Sequence, residues 1–269
     1  MYNEVEYISS LVKLDNGNIV AVTDGINTCI NEYLYVISKK ILFLGEVHMD
    51  LVFIIISLVL AYVIEVILYG VSIVIGNSKV KIKGSLIMPI VSIIPTILLL
   101  IITRINIFKI EEILNVPLWI ILIITVAVVV LLISQNNIKE QISKTEIIIN
   151  GFEGIMMEIP QRMFMQTFIF VFLEKFNVNN SSIWTVIING IVWCLGIITQ
   201  GILIKKKVNK QLMIDIVSSF IFSIGIGYVF VKSGLILLPI IAHFLERVLS
   251  KTIMNIKYKI SSNKNIVGN

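Results

Sequence analysis

The chain reads as long apolar runs separated by short polar breaks. Seven runs stand out beyond residue 48: Met49 to Gly76, Leu86 to Thr103, Val116 to Ser134, Phe152 to Leu173, Ile183 to Ile204, Leu212 to Val231 and Leu235 to Leu249. Most approach the roughly 20 residues that a helix needs to cross the hydrocarbon layer, and a helix satisfies its own backbone there. The pattern predicts an all-α fold, a polytopic transmembrane helix bundle of about seven helices. Residues 1–48 are different: Val5, Tyr7 and Leu11, then Ile19 and Ala21, alternate weakly around Asp15-Asn16-Gly17-Asn18. That is a hairpin signal, set against the alternative that the segment is disordered. The expected division is a polar N-terminal region at 1–48, three helices and their loops at 49–150, a membrane core at 151–251 and a basic tail at 252–269.

Composition sharpens this picture. Hydrophobic residues make up 57% and charged residues 14%, with a mean hydropathy of +0.96, so the first partner is the lipid bilayer. The net charge of +5 does not point to nucleic acid, because the lysines sit in clusters between apolar runs. Lys79, Lys81 and Lys83 follow the first run, and Lys139 and Lys144 the third. Lys205, Lys206, Lys207 and Lys210 follow the fifth, and Lys251, Lys257, Lys259 and Lys264 the seventh. With seven crossings these clusters share one side, which the positive-inside rule makes cytoplasmic, leaving residues 1–48 outside; Lys39 and Lys40 argue weakly the other way. The acidic start, Met-Tyr-Asn-Glu-Val-Glu, is unlike a cleavable signal. Isoleucine, asparagine and lysine usage suggests a multi-pass protein of a bacterial cell membrane. Cys29 and Cys194 lie in unlike surroundings, so no disulfide is expected.

Charge inside the membrane is the informative exception, because an ionisable group there costs free energy unless it is paired or used. The fourth run opens Gly151-Phe-Glu153-Gly-Ile-Met-Met157-Glu158-Ile-Pro160-Gln161-Arg162, and the seventh holds Pro239 and His243. Glu158 and Arg162, four apart, share a helix face and can neutralise one another. Glu153 lies one turn before Met157. Each of the two runs has a proline that frees a backbone carbonyl, so both are expected to face protein or a water-filled cavity. A glutamate and a histidine at similar depth are the minimum parts for activating water by general-base chemistry.

These residues resemble the CPBP intramembrane proteases, the CAAX proteases and bacteriocin-processing enzymes. Their polar core is a glutamate pair with arginine (EExxxR), then FxxxH, then a histidine with asparagine or aspartate one turn on. The resemblance covers roughly Glu153 to Ser250, including the glycine-containing stretch Phe220 to Gly227 and the Pro239-to-His243 helix. It implies an intramembrane endopeptidase that cuts a peptide or a lipidated C-terminus near the cytoplasmic face, with Glu158, Arg162 and His243 as site residues. The departures are specific. Met157 stands where the family has its water-activating glutamate, Ile197 of Trp193-Cys-Leu-Gly-Ile197 where it has its second histidine, and Arg247 where it has asparagine or aspartate. Glu153 is the candidate replacement base, Gln200 a candidate donor to a substrate carbonyl, and Glu246 a candidate orienter of His243.

Two function classes follow. One is a rearranged endopeptidase with Glu158, His243, Arg162 and Glu153 as catalytic residues and a peptide or protein substrate. The other is a non-catalytic membrane protein of the same fold that binds a peptide or protein partner, in bacteriocin immunity or envelope regulation. A transporter relaying protons through Glu65, Glu158 and His243 is a distant third. Structural readings stand beside these. Glu158 with Arg162 also fits a buried ion pair, and His243 also fits a core histidine bonded to a carbonyl that Pro239 frees. Asp215 fits a helix start, Gly225, Gly227 and Trp193 fit helix packing, and Glu46, His48 and Asp50 form a metal-ligand set only on extended backbone.

Overall fold

The computed structural model describes residues 8–13, 19–23, 27–77, 83–136, 140–203 and 209–267. The chain divides into two compact units, Met1–Val52 and Phe53–Asn269. In the first, strands β1 (Ile8–Lys13) and β2 (Ile19–Thr23) pair antiparallel with Leu11 opposite Ala21. They flank the turn signal at 15–18, which with Val5 and Tyr7 lies outside the described residues. Helix α1 (Asn27–Gly76) begins in this unit, so Glu46, His48 and Asp50 stand on helical backbone and not on the extended chain that their alternation would need.

The second unit is helical. After α1 come α2 (Gly84–Thr103), a 3₁₀ turn (Ile110–Leu114), α3 (Val116–Ile133) and α4 (Lys144–Glu158). A π-helical stretch (Ile159–Gln166) joins α4 to α5 (Thr167–Lys175), and α6 (Ser181–Leu203), α7 (Lys210–Ser233) and α8 (Leu237–Val267) follow. Because α4, the π stretch and α5 run on without a break, the seven predicted segments map one to one onto the bundle. Five helices among the described residues are long and apolar enough to cross a membrane, namely Met49–Gly76 of α1 together with α2, α3, α6 and α7. The two left out, α4–α5 and α8, carry Glu153, Glu158, Arg162 and His243. The chain is a multi-pass membrane protein.

Besides the first helix, which starts at Asn27 and not at Met49, two predicted boundaries move, each for a local reason. The fourth segment starts at Lys144, not Phe152, because Ser143 caps it: its hydroxyl accepts from the backbone N–H of Glu146 at 3.2 Å, the first half of an S-x-x-E capping box. The seventh continues past Leu249 through most of the predicted basic tail. There Met254 is buried, and the Asn255 amide clamps Ile142, accepting from its N–H at 3.1 Å and donating to its carbonyl at 3.0 Å. Lys257 Nζ donates to the Ser134 carbonyl at 2.9 Å, satisfying an end carbonyl of α3.

Packing, not water exclusion, holds such a bundle, since lipid tails are as apolar as leucine. Helices α3, α7 and α8 share a core of Leu122, Val129, Phe222, Ile226, Val229, Leu238 and Ala242. A second cluster joins α1, α5 and α6 through Ala61, Ile169, Leu173 and Val192. Helices α4 and α8 approach closely because Gly151 and Gly154 face α8. A Cβ on Gly154 would lie 2.9 Å from Arg247 Cγ and 3.0 Å from His243 Cδ2, and one on Gly151 would lie 2.7 Å from Phe244 Cε2. The turn between α7 and α8 is made by Gly234 at φ 61°, a left-handed conformation in which a side chain is strained. It returns the chain at once, so that α8 brings His243 back beside α4.

Candidate functional site

Three of the four predicted site residues meet. His243 Nδ1 lies 2.6 Å from Glu158 Oε1, a short, charge-assisted hydrogen bond between side chains that are almost fully buried. Where Glu158 is ionised it can only accept, so Nδ1 donates to it, and in a neutral imidazole Nε2 is then the acceptor of the ring. Arg162 Nε lies 3.7 Å from Glu158 Oε2, with both side chains inaccessible to solvent. This is an ion pair without a hydrogen bond, and Glu158 Oε2, Arg162 Nε and Arg162 Nη2 have no hydrogen-bond partner among the described residues. The guanidinium also sits 5.9 Å from the centre of the Phe222 ring, within cation–π range. The same ring tilts against His243 at 4.8 Å.

Gln161 is the hub that sequence reasoning missed. With its amide oxygen turned to the donors around it, that oxygen accepts from Arg162 Nη1 at 3.1 Å, Ser223 Oγ at 2.9 Å and Trp193 Nε1 at 2.7 Å. It thereby ties the π stretch to α6 and α7. The π geometry makes this possible. Pro160 has no N–H to donate to the turn before it, and the widened helix buries Gln161, Arg162, Phe164, Met165 and Gln166 nearly in a row, more than one α-helical face would hold. Gln166 then donates to the Gly227 carbonyl at 2.7 Å, and Thr167 Oγ1 bonds back to the Arg162 carbonyl at 3.1 Å. The sequence signal was present as glutamines inside an apolar run, where each polar group needs a partner.

His243 and Gln161 line a cavity of about 500 Å³. Its inner wall includes Met157, Trp193, Ile197 and Phe222. It extends past Gln200 to Asn136, Gln211, Asp215 and Lys251, at the end of the bundle where α7 begins with Lys210. Met157 and Ile197, which stand where the resembled family has its base and second histidine, therefore share one space with His243. Glu158 lies behind the wall, committed to His243. Arg247, the third departure, lines the same cavity and pairs with Glu246, Nε to Oε2 at 3.4 Å.

Glu153 is placed apart. It forms an ion pair with Lys83 and lines a second cavity of about 280 Å³ with Met157, Tyr69, Ser72 and Gln200. The four-residue spacing did bring Glu153 and Met157 to one cavity, but only Met157 also lines the one that His243 lines. Glu246 does not orient His243; it accepts from Ser250 Oγ at 3.1 Å, and Glu158 holds the imidazole instead. Asp215 accepts from Asn136 Nδ2 at 3.4 Å and faces the large cavity. Gly225 gives the Thr125 side chain of α3 its space, a packing role. Cys194 is a free thiol, while the side chain of Cys29 lies outside the described residues. No group of three or more metal-ligating side chains occurs among the described residues.

Residues 117–249 match the family model described as type II CAAX prenyl endopeptidase Rce1-like. None of the curated proteins and none of the solved structures matches the chain.

Proposed function

Because residues 117–249 match the type II CAAX prenyl endopeptidase Rce1-like family model, we propose that this CAAX-protease-like membrane protein uses the cavity lined by His243 to bind a peptide and does not cleave it. One observation carries the proposal. Met157, Ile197 and His243 line the same cavity, and two of these three positions hold side chains that cannot take or give a proton. Hydrolysis needs a base within hydrogen-bond reach of a water at the scissile carbonyl, and neither a thioether nor a branched alkyl group supplies one. What is left suits binding. The volume lies in the range of small-ligand sites, the inner wall is apolar, and Gln200 and Nε2 of His243 offer polar contacts to a peptide backbone. Its polar end, on the side read as cytoplasmic, admits a soluble or lipid-anchored chain. This is the role of a partner-binding protein in immunity or envelope regulation, with the Glu158–His243–Arg162 group as the rigid back wall.

A second reading has its own support. The 2.6 Å bond from His243 to Glu158 leaves Nε2 as an acceptor oriented by a carboxylate, the arrangement of a histidine general base. In that reading His243 activates the water, Glu158 positions it and Arg162 balances the charge, while Glu153 stays with Lys83.

Binding is tested by photo-crosslinking a benzophenone-bearing prenylated peptide to the protein in lipid vesicles. Ile197→Trp, which fills the inner cavity, is expected to lower labelling about tenfold, the loss that about 1.4 kcal/mol of contact free energy produces. Labelling that is undiminished in a folded Ile197→Trp variant would place the peptide elsewhere and end the proposal.

A further inference from the structure

Glu65 takes no part in the group around His243, yet it is the buried acid with the fewest partners. It sits on the membrane-spanning part of α1, is 2% exposed, and neither carboxyl oxygen has a hydrogen-bond partner among the described residues. Its space is made for it: the carboxyl lies against Gly196 of α6, where even a Cβ would collide with Oε1. The seam is polar on both sides of this contact. One turn earlier Tyr62 Oη bonds Thr199 Oγ1 at 2.8 Å, and one turn later Tyr69, with Gln200 of α6, lines the cavity of about 280 Å³. The carboxyl is thus sealed in the seam with a polar cavity one helical turn away.

An ionised carboxylate without partners in such a place is strongly disfavoured, whereas the neutral acid fits. No cation among the described residues pairs with it, and Arg247, which lines the cavity at Tyr69 and Gln200, pairs with Glu246. Helix α2 has no titratable residue in Gly84–Thr103, and α6 has only Cys194 in Ser181–Leu203. Glu158 and Arg162 are turned to each other and to His243. Glu153 is paired with Lys83 and Glu174 with Ser181, and Lys175 ends α5. Tyr62 and Tyr69 lie on Glu65's own helix. We propose that Glu65 is a proton-binding site, loaded from the cavity at Tyr69 and Gln200, that seats α1 on α6 while neutral and loosens this seam when it loses its proton. The packed seam holds one proton more than the loosened one, so loosening increases as pH rises.

The test uses the full chain in lipid vesicles. An infrared pH titration is expected to show a protonated carboxylic acid band at neutral pH that is absent from Glu65→Gln and that disappears at alkaline pH. In parallel, Tyr62→Cys/Thr199→Cys, made with Cys29→Ser and Cys194→Ser, is expected to crosslink several-fold less at alkaline pH, and to lose this dependence when Glu65→Gln is added. An apolar carbodiimide, which reacts with protonated acids, gives a reading on the unaltered protein: mass spectrometry should find Glu65 modified at neutral pH and spared at alkaline pH. A missing band, an unmodified Glu65, or the same pH dependence of crosslinking with and without Glu65→Gln would each overturn the proposal.

Discussion

Met157→Glu combined with Ile197→His is expected, on the proposed binding role, to create peptide cleavage that the unaltered protein lacks. Both positions face the cavity that His243 lines, so the double change brings a carboxylate and an imidazole to the space proposed for the peptide. General acid–base catalysis contributes typically about 10²–10⁴-fold, and each single variant lacks half of the pair. The double variant is therefore expected to exceed either single variant by about a hundredfold in cleavage rate, with Arg247→Asn adding to it. Fragment formation from a fluorogenic prenylated peptide measures this. A folded, peptide-binding double variant that cleaves nothing would mean that the cavity does not hold its peptide in a hydrolase-like pose.

The largest effect on stability is expected at Glu158. Glu158→Leu strands the guanidinium of Arg162 in a site with no solvent and removes the partner of His243 Nδ1. Breaking a buried pair from one side costs about 3–5 kcal/mol, while removing both charges is often close to neutral. Glu158→Leu should therefore unfold at a much lower SDS fraction in mixed micelles, and Glu158→Leu/Arg162→Leu should recover most of the loss. Losses in the double variant that merely add would show that the two side chains, 3.7 Å apart, are energetically independent.

Much of this was legible in the sequence because a membrane imposes simple rules. Hydropathy alone located all seven segments, and the charges inside two of them singled out Glu158, Arg162 and His243 before any geometry. The four-residue spacing of Glu158 and Arg162 predicted their pairing, and that of Glu153 and Met157 their shared face. Partner choice was less legible. Lys83, from the connection before α2, claims Glu153, and Glu158 takes the place at His243 that Glu246 was expected to fill. Both outcomes depend on how α4 lies on α8, which Gly151 and Gly154 decide through contacts distant in sequence. The π stretch carries only Pro160 as a local marker, so the burial of Gln161 and Gln166 together with Arg162 emerges only from the packed bundle. The length of α8 was hidden for the opposite reason. Its lysines lower the hydropathy, although Met254 and Asn255 dock the helix on the connection before α4.

Whether this cavity binds without cutting, as proposed, is answered by the unaltered protein itself. Reconstituted in lipid vesicles, it would be incubated with a library of peptides and prenylated peptides, beside His243→Ala, and the products read by mass spectrometry. Every peptide is expected to be recovered intact from both proteins. Cleavage by the unaltered protein that disappears in a folded His243→Ala variant would contradict it and establish a hydrolase built on the Glu158–His243 pair.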